Sequence, residues 1–162
     1  MELIIKKRNG DRFTVLYDEC DHEIIASLKW HITCSRRILY ARSNSEIKGK
    51  RVLMHRAILQ PQGDKIHVDH INGNSLDNRR CNLRACTNSQ NMMNRGPVKR
   101  RESEYKGIIK IEGRNRTYWR AQIGLNGKSH YIGSYDTPED AAIAYNQKAI
   151  ELHGEFAFLN VV

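Results

Sequence analysis

Alternating apolar and polar positions predict short strands in the first third of the chain. The dipeptide Asn9-Gly10 favours a tight turn and separates the first two alternating runs, which therefore predict a hairpin. Helical spacing of apolar residues at 20–28 and 54–59 predicts two short helices. We expect a small α+β module whose strands cover residues 3–7, 12–17, 30–33 and 38–41.

A strand, a turn and a helix start follow one another in the middle of the chain. Residues 65–71 alternate and are ended by Asn72-Gly73, a strong turn dipeptide, and a second short strand is expected near residues 82–85. The tetrapeptide Thr87-Asn88-Ser89-Gln90 then has the form of a capping box. This places Asn91 in the first turn of a helix.

The clearest alternation of the chain lies in its last third, at residues 118–123. The apolar side comprises Trp119, Ala121 and Ile123, and the polar side comprises Tyr118, Arg120 and Gln122. Asn126-Gly127 predicts a turn into a second strand, and Thr137-Pro138 predicts the start of an amphipathic helix. Tyrosine, arginine and glutamine side chains suit contacts with bases and phosphates. The alternative is a module in which the alternation only serves to cover the helix.

The net charge of the chain indicates a class of binding partner. The chain has 27 Lys and Arg residues against 18 Asp and Glu residues, a net charge of +9 and a pI near 9.6, so a polyanion is the expected partner. The same balance occurs in other soluble proteins, so charge alone decides little. No long apolar run or signal-peptide pattern is present, and we expect a soluble, intracellular protein without a membrane partner.

Residues 95–104 lack apolar periodicity and contain four basic residues, which predicts an extended linker. Such a linker either follows a DNA backbone or is a solvated tether. The four cysteines, Cys20, Cys34, Cys81 and Cys86, form no C-x2-C pair, so reduced thiols are favoured over a zinc site.

Four polar residues in the middle segment have the chemistry of phosphodiester hydrolysis. Asp69 is followed by His70, Asn82 and Asn91, which supplies a carboxylate, an imidazole and two carboxamides. Hydrolysis needs a metal ion to neutralise developing charge and a base to accept a proton from water. Neighbours in a regular strand point to opposite faces, so Asp69 and His70 can share a phosphate only at a strand end or irregular turn.

Two other histidines are rival bases. His67 lies on the same predicted strand, and His55 lies in the short helical pattern at 54–59. We interpret His55 as a packed or phosphate-contacting residue.

These residues and their spacing resemble the HNH nucleases with a ββα-metal fold, and more closely the HNH homing endonucleases of bacteriophage introns. The resemblance implies that Asp69 and Asn91 hold the metal ion, that His70 is the general base and that Asn82 braces the loop between the strands. Asparagine stands at the third catalytic position, where many relatives have histidine. This favours Mg²⁺ or Mn²⁺ over zinc or nickel, with one ion per site.

The last third resembles the ethylene-response-factor type of DNA-binding domain. The resemblance is carried by Tyr105-Lys106-Gly107-Ile108, Trp119-Arg120-Ala121-Gln122-Ile123, residues 131–137, residues 140–145 and Phe158-Leu159-Asn160. It implies a three-stranded antiparallel sheet packed on one helix. The DNA contacts that it implies are Lys106, Lys110, Arg114, Arg116, Tyr118, Arg120, Gln122 and Tyr131. Ile109 and Ser129 replace arginines of that family.

Together these patterns predict an α+β protein. The expected domains are an HNH nuclease domain at 1–95 with its ββα-metal core at about 65–95, a basic linker at 96–104, and a DNA-binding domain at 105–160. Further candidate phosphate contacts are Arg36, Arg37, His55, Arg79, Arg80, Lys99, Arg100 and Arg101.

The predicted function is that of a homing-type endonuclease acting on double-stranded DNA as a monomer or dimer. A monomer would cut one strand. The alternatives are a DNA-binding regulator with a vestigial nuclease core and, less favoured, an RNA-binding protein.

Overall fold

The computed structural model describes residues 1–47, 50–63, 65–97, 103–114 and 116–162, with the side chains of 45–47 and 50 excluded. The chain divides into two compact units, Met1–Asn88 and Ser89–Val162. The boundary falls before the predicted linker, so that the helix after residue 87 groups with the C-terminal residues. Small antiparallel sheets and four α-helices among the described residues confirm the predicted mixed α and β class.

The N-terminal unit contains three small antiparallel sheets. The order of its elements is β1 (Glu2–Lys6), β2 (Arg12–Leu16), α1 (His22–Ala26), β3 (Trp30–Ser35), β4 (Ile38–Ile47), β5 (Lys50–Leu53), α2 (Met54–Leu59), β6 (His67–His70) and β7 (Leu83–Cys86). The sheets are β1 with β2, β3 with β4 and β5, and β6 with β7. The strand β5 was not predicted from the alternation.

One apolar core holds these sheets together. Val15, Tyr17, Ile25 and Met54 are buried within it, and the helix α2 adds Ile58. The strands β6 and β7 reach the same core through Val68 and Leu83. The end of β6 is therefore anchored by packing.

The C-terminal unit consists of α3 (Asn88–Asn94), β8 (Ile108–Glu112), β9 (Thr117–Leu125), β10 (Lys128–Tyr135) and α4 (Pro138–His153). The strands form one antiparallel sheet in the order β10, β9, β8. The helix α4 begins after Thr137, whose hydroxyl accepts a hydrogen bond from the Asp140 amide at 3.1 Å, as the Thr-Pro start predicts. The core between sheet and helix comprises Ile108, Ala121, Ile123, Ala141, Ala142, Tyr145 and Ala149.

The register of this sheet decides which side chains face away from α4. Ile108 pairs with Ala121, and both are completely buried on the helix side. Strand alternation then places Ile109 with its partner Arg120 on the opposite face. We call this opposite face the open face; it is formed by Ile109, Ile111, Tyr118, Arg120, Gln122, Tyr131 and Ser134.

Candidate active site and candidate DNA-binding face

Asp69 lies one residue before the end of β6 and is fixed by its cross-strand partner. It pairs in register with Arg84 of β7, and the Arg84 Nε and Nη2 atoms donate to Asp69 Oδ2 at 2.9 and 2.8 Å. The Asp69 side chain is buried, at 6% exposure. A buried carboxylate needs such a partner because desolvation penalises its charge. The strand and the ion pair together hold this carboxylate in one position.

His70, the last residue of β6, lies on the face of the strand opposite to Asp69. Its register partner is Leu83, and its ring contacts the ring of His55 edge to face, with centroids 5.0 Å apart and an interplanar angle of 89°. Within the strand, Asp69 and His70 therefore point to opposite faces, as regular strand geometry predicts. The chain turns directly after it, because the Gly73 amide donates to the His70 carbonyl at 2.9 Å. Both side chains thus sit where the strand ends.

The imidazole of His70 has a defined partner. Its Nε2 lies 3.3 Å from Asn78 Oδ1. Because a carboxamide oxygen only accepts, Nε2 donates in the neutral ring, and the lone pair is then on Nδ1. Burial lowers the pKa of His70, against the opposing effects of Asn78, Asp69 and Asp77. A neutral imidazole at neutral pH is suited to accept a proton.

Asn82 ties together the loop that follows His70. Its Oδ1 accepts from the Asn72 amide at 2.9 Å, and its Nδ2 donates to the Asp77 carbonyl at 2.8 Å. The Asn82 carbonyl also accepts from the Ile71 amide at 2.9 Å. These contacts span the loop between β6 and β7, which is the place of the predicted brace.

Two candidate phosphate contacts prove to be engaged within the protein. Arg79 donates from Nε and Nη2 to the two carboxylate oxygens of Asp77, at 2.8 and 2.7 Å. Arg80 donates from Nη2 to Asp21 at 2.6 Å and to the Ile58 carbonyl at 3.3 Å. Asp21 and Asp77 are buried and would be costly to leave unpaired. Both arginines therefore take part in ion pairs of the fold, and their phosphate contacts stay predictions.

The other predicted phosphate contacts fall into three groups. Arg36 and Arg37 are exposed in the turn between β3 and β4, where both have positive φ angles of 49° and 70°. His55 is buried at 6% exposure between the Tyr40 and His70 rings, so it is a packed residue. Lys99, Arg100 and Arg101 lie outside the described residues.

The described residues contain no group of three or more histidine, cysteine, aspartate or glutamate side chains that could hold a metal ion. Asn91, the second predicted metal ligand, lies on α3 and is partly exposed. A cation bound by Asp69 would need carboxamide, water or phosphate oxygens as its other ligands.

Lys106 and Lys110 do not belong to the open face on which we predicted them. Lys106 Nζ donates to the carbonyls of Met92 and Met93 near the end of α3, where a cation is favoured by the helix dipole. Burial lowers its pKa to about 8. Lys110 pairs in register with Trp119 on the helix side and donates to Glu112 at 2.8 Å. For Lys110 the reason is the alternation of β8, since the buried Ile108 puts residue 110 on the helix side.

The remaining predicted DNA contacts are on the open face or beside it. Tyr118, Arg120 and Gln122 alternate along β9, and Tyr131 of β10 is 65% exposed opposite Gln122. Arg114 and Arg116 are exposed between β8 and β9. Arg116 lies 3.6 Å from Asp136 and above the Tyr118 ring. Arg120 Nε is buried and has no hydrogen-bond partner among the described residues.

Comparison with known proteins shows what the N-terminal site is similar to. An HNH endonuclease family model matches residues 54–93. An uncharacterized HNH endonuclease of Acanthamoeba polyphaga mimivirus is 42% identical over 97 residues, which are 60% of this chain and 48% of that protein. Protein 3.8 of Escherichia phage T7 is 35% identical over 91 residues, which are 56% of this chain and 73% of the phage protein. The chain belongs to the HNH endonuclease family.

This HNH endonuclease family member spans about half the length of its mimivirus relative, at 48%. It is also similar to an AP2-like ethylene-responsive transcription factor of Arabidopsis thaliana, with 43% identity over 60 residues. That match covers 36% of the chain and 17% of the plant protein. No solved structure matches the chain. Within the described residues of this HNH protein, no helix is both long enough and apolar enough to cross a membrane.

Sequence reasoning missed two side chains of the HNH site. Asn78 contacts His70 across eight residues of loop, and Arg84 contacts Asp69 across the sheet. The register of β6 and β7 would have revealed Arg84, since Asp69 and Arg84 are direct cross-strand partners. No sequence signal distinguishes Asn78 from the other asparagines of the loop.

Proposed function

We propose that the chain is a DNA endonuclease that hydrolyses a phosphodiester bond with the help of one divalent ion, Mg²⁺ or Mn²⁺. The observation that carries this proposal is the end of β6, where a carboxylate fixed by Arg84 and an imidazole fixed by Asn78 occupy consecutive positions. The match of residues 54–93 to the HNH endonuclease family supports it.

His70 is the general base of the proposed reaction. Its contact with Asn78 keeps the proton on Nε2 and the lone pair on Nδ1. Burial favours the neutral ring, which lets His70 accept the proton of an attacking water. The packed His55 ring limits the rotation of the imidazole. His70 thus holds the proton while the bond to phosphorus forms.

Asp69 is the proposed metal ligand in this unit, and the sequence pattern adds Asn91. Carboxylate and carboxamide oxygens are hard donors, and Mg²⁺ commonly binds through one or two protein ligands while it keeps several waters. This donor set therefore fits Mg²⁺ or Mn²⁺. When bound, the ion would neutralise charge on the phosphate oxygens. Arg84 holds the Asp69 carboxylate in its buried position through this ion pair.

The C-terminal unit is proposed to direct this activity to a DNA site. Support comes from the open face with Tyr118, Arg120 and Gln122, and from the likeness to a plant transcription factor. We further propose a homing type of activity, in which a monomer with one HNH domain nicks one strand. A duplex break would then need a dimer or two successive nicks.

One observation favours a second candidate, a DNA-binding regulator with an inactive core. The Asp69 charge is already balanced by Arg84, which lies within 2.8 Å and would compete with a cation. Metal-dependent cleavage separates the two candidates, because an inactive core binds DNA without cutting it.

The test compares variants of the full chain on supercoiled plasmid in Mg²⁺. Asp69→Ala and Asn91→Ala should nearly abolish nicking and leave DNA affinity within a few fold, because the ion acts mainly in the transition state. His67→Ala tests the rival base, which is exposed on the same strand, and should leave the nicking rate unchanged if His70 is the base. Wild-type nicking rates in Asp69→Ala at saturating Mg²⁺ would remove Asp69 from the site.

A further inference from the structure

Two isoleucines lie on the open face of the C-terminal sheet, beside its central charge. Arg120 is flanked across the strands by Ile109 of β8 and Ser134 of β10. Ile111 lies opposite Tyr118 on the same face. Ile109 and Ile111 are both half-buried and point away from α4. They form an apolar strip next to a guanidinium group.

Charge identifies the occupant of this face as a polyanion. Arg114, Arg116 and Arg120 lie on it or beside it, with Asp136 paired to Arg116, whereas the exposed acids Glu139 and Glu151 lie on α4, behind the sheet. A purely apolar partner would leave the Arg120 guanidinium buried without an acceptor, which is costly. Duplex DNA offers both acceptors and apolar groups in its major groove.

Among the four bases, thymine is the one that presents a methyl group in the major groove. Side chains on the same face of a strand repeat every second residue, which is about 6.7 Å. Bases along one DNA strand rise by about 3.4 Å, so two steps cover about 6.8 Å. The helical twist of DNA adds a sideways offset to this axial rise, so the two isoleucines are spaced to reach the methyl groups of two different thymines and not one methyl group together.

We propose that Ile109 and Ile111 contact the C5-methyl groups of two thymines, next to a base or phosphate bound by Arg120. This inference rests on the proposed DNA-binding role of the C-terminal sheet and adds the base preference of its β8 edge. The chain should therefore select thymine at two nearby positions of its site.

The experiment uses the full chain in EDTA, so that binding is measured without hydrolysis. Bound duplexes are first selected from a random pool, and each selected thymine is then replaced by deoxyuridine, which removes only the methyl group. Loss of one methyl contact should weaken binding about fourfold, which corresponds to ~0.8 kcal/mol. Ile109→Ala should bind the thymine duplex about fourfold more weakly and should lose the deoxyuridine penalty at one of the two thymines, while Ile111→Ala should lose it at the other. Ile143→Ala, on the exposed side of α4, is the matched control and should behave as wild type.

Equal affinity of the wild type for thymine and deoxyuridine duplexes would overturn the inference, and this arm needs no variant to fold. Retention of the deoxyuridine penalty at both thymines in Ile109→Ala and in Ile111→Ala would also overturn it. If the chain selects a site but only Arg120→Ala weakens binding, the targeting role survives and the methyl contacts do not. Binding with no sequence preference would remove the targeting proposal as well.

Discussion

Acidification should destabilise the protein through His55. This side chain is 6% exposed, packed between the Tyr40 and His70 rings. Burial lowers its pKa from the ordinary value of 6.5 to about 3, and the charges of His70 and Arg56 act in the same direction. Because the folded-state pKa lies below the unfolded value, this contribution to stability is fully present above pH 6.5. It is lost as pH falls from 6.5 toward about 3.

The magnitude follows from the proton taken up on unfolding. At pH 5 the pH is about 1.5 units below the pKa of the unfolded histidine, which therefore binds a proton. His55 in the folded protein is still neutral at this pH. Each unit corresponds to about 1.4 kcal/mol, so unfolding at pH 5 is favoured by about 2 kcal/mol relative to pH 7.5. That is a large fraction of the stability of a small domain.

Urea denaturation at a series of pH values measures this effect. The free energy of unfolding of the wild type should fall between pH 7.5 and 5, and His55→Gln should lose about 2 kcal/mol of that fall. His67→Gln, at an exposed position of β6, is the matched control and should keep the wild-type slope. An identical slope in the wild type and His55→Gln would refute the reasoning.

Three further predictions concern the brace, the C-terminal core and the base. Asn82→Ala should lower the free energy of unfolding by about 1–3 kcal/mol, measured in urea, because buried loop amide and carbonyl groups lose their partner. Gly107→Ala should melt at a lower temperature than Gly127→Ala, since both glycines have positive φ but only at 107 does a Cβ meet Tyr145, at 2.3 Å. Equal melting temperatures would contradict that clash. His70→Ala should slow nicking by about 10²–10⁴ in a single-turnover assay, and an unchanged rate would exclude it as the base.

The local elements could be predicted where alternation, turn dipeptides and caps agree. The strand β9 has its buried residues Ala121 and Ile123 on the predicted side. The helix α4 begins at Pro138 after the predicted Thr137 cap. Each of these signals is contained within a few residues of the element that it specifies.

The partners of charged side chains could not be predicted in this way. Arg80 pairs with Asp21 across 59 residues, and composition alone counted it among the residues available to phosphate. Lys106 was assigned to the DNA-binding surface by its place in a motif, yet its ammonium group donates a hydrogen bond to a backbone carbonyl of α3. Such pairings depend on tertiary contacts and on strand register. A shift of the register by one residue moves every side chain of the strand to the other face of the sheet.

The most direct test of the proposed endonuclease activity is the incubation of purified full-length protein with supercoiled plasmid, with and without Mg²⁺. We predict conversion of supercoiled to nicked circles in Mg²⁺ and none in EDTA, with Asp69→Ala inactive in both. Plasmid that remains supercoiled in Mg²⁺ or Mn²⁺, while the same protein binds it, would contradict the proposal and favour a DNA-binding regulator.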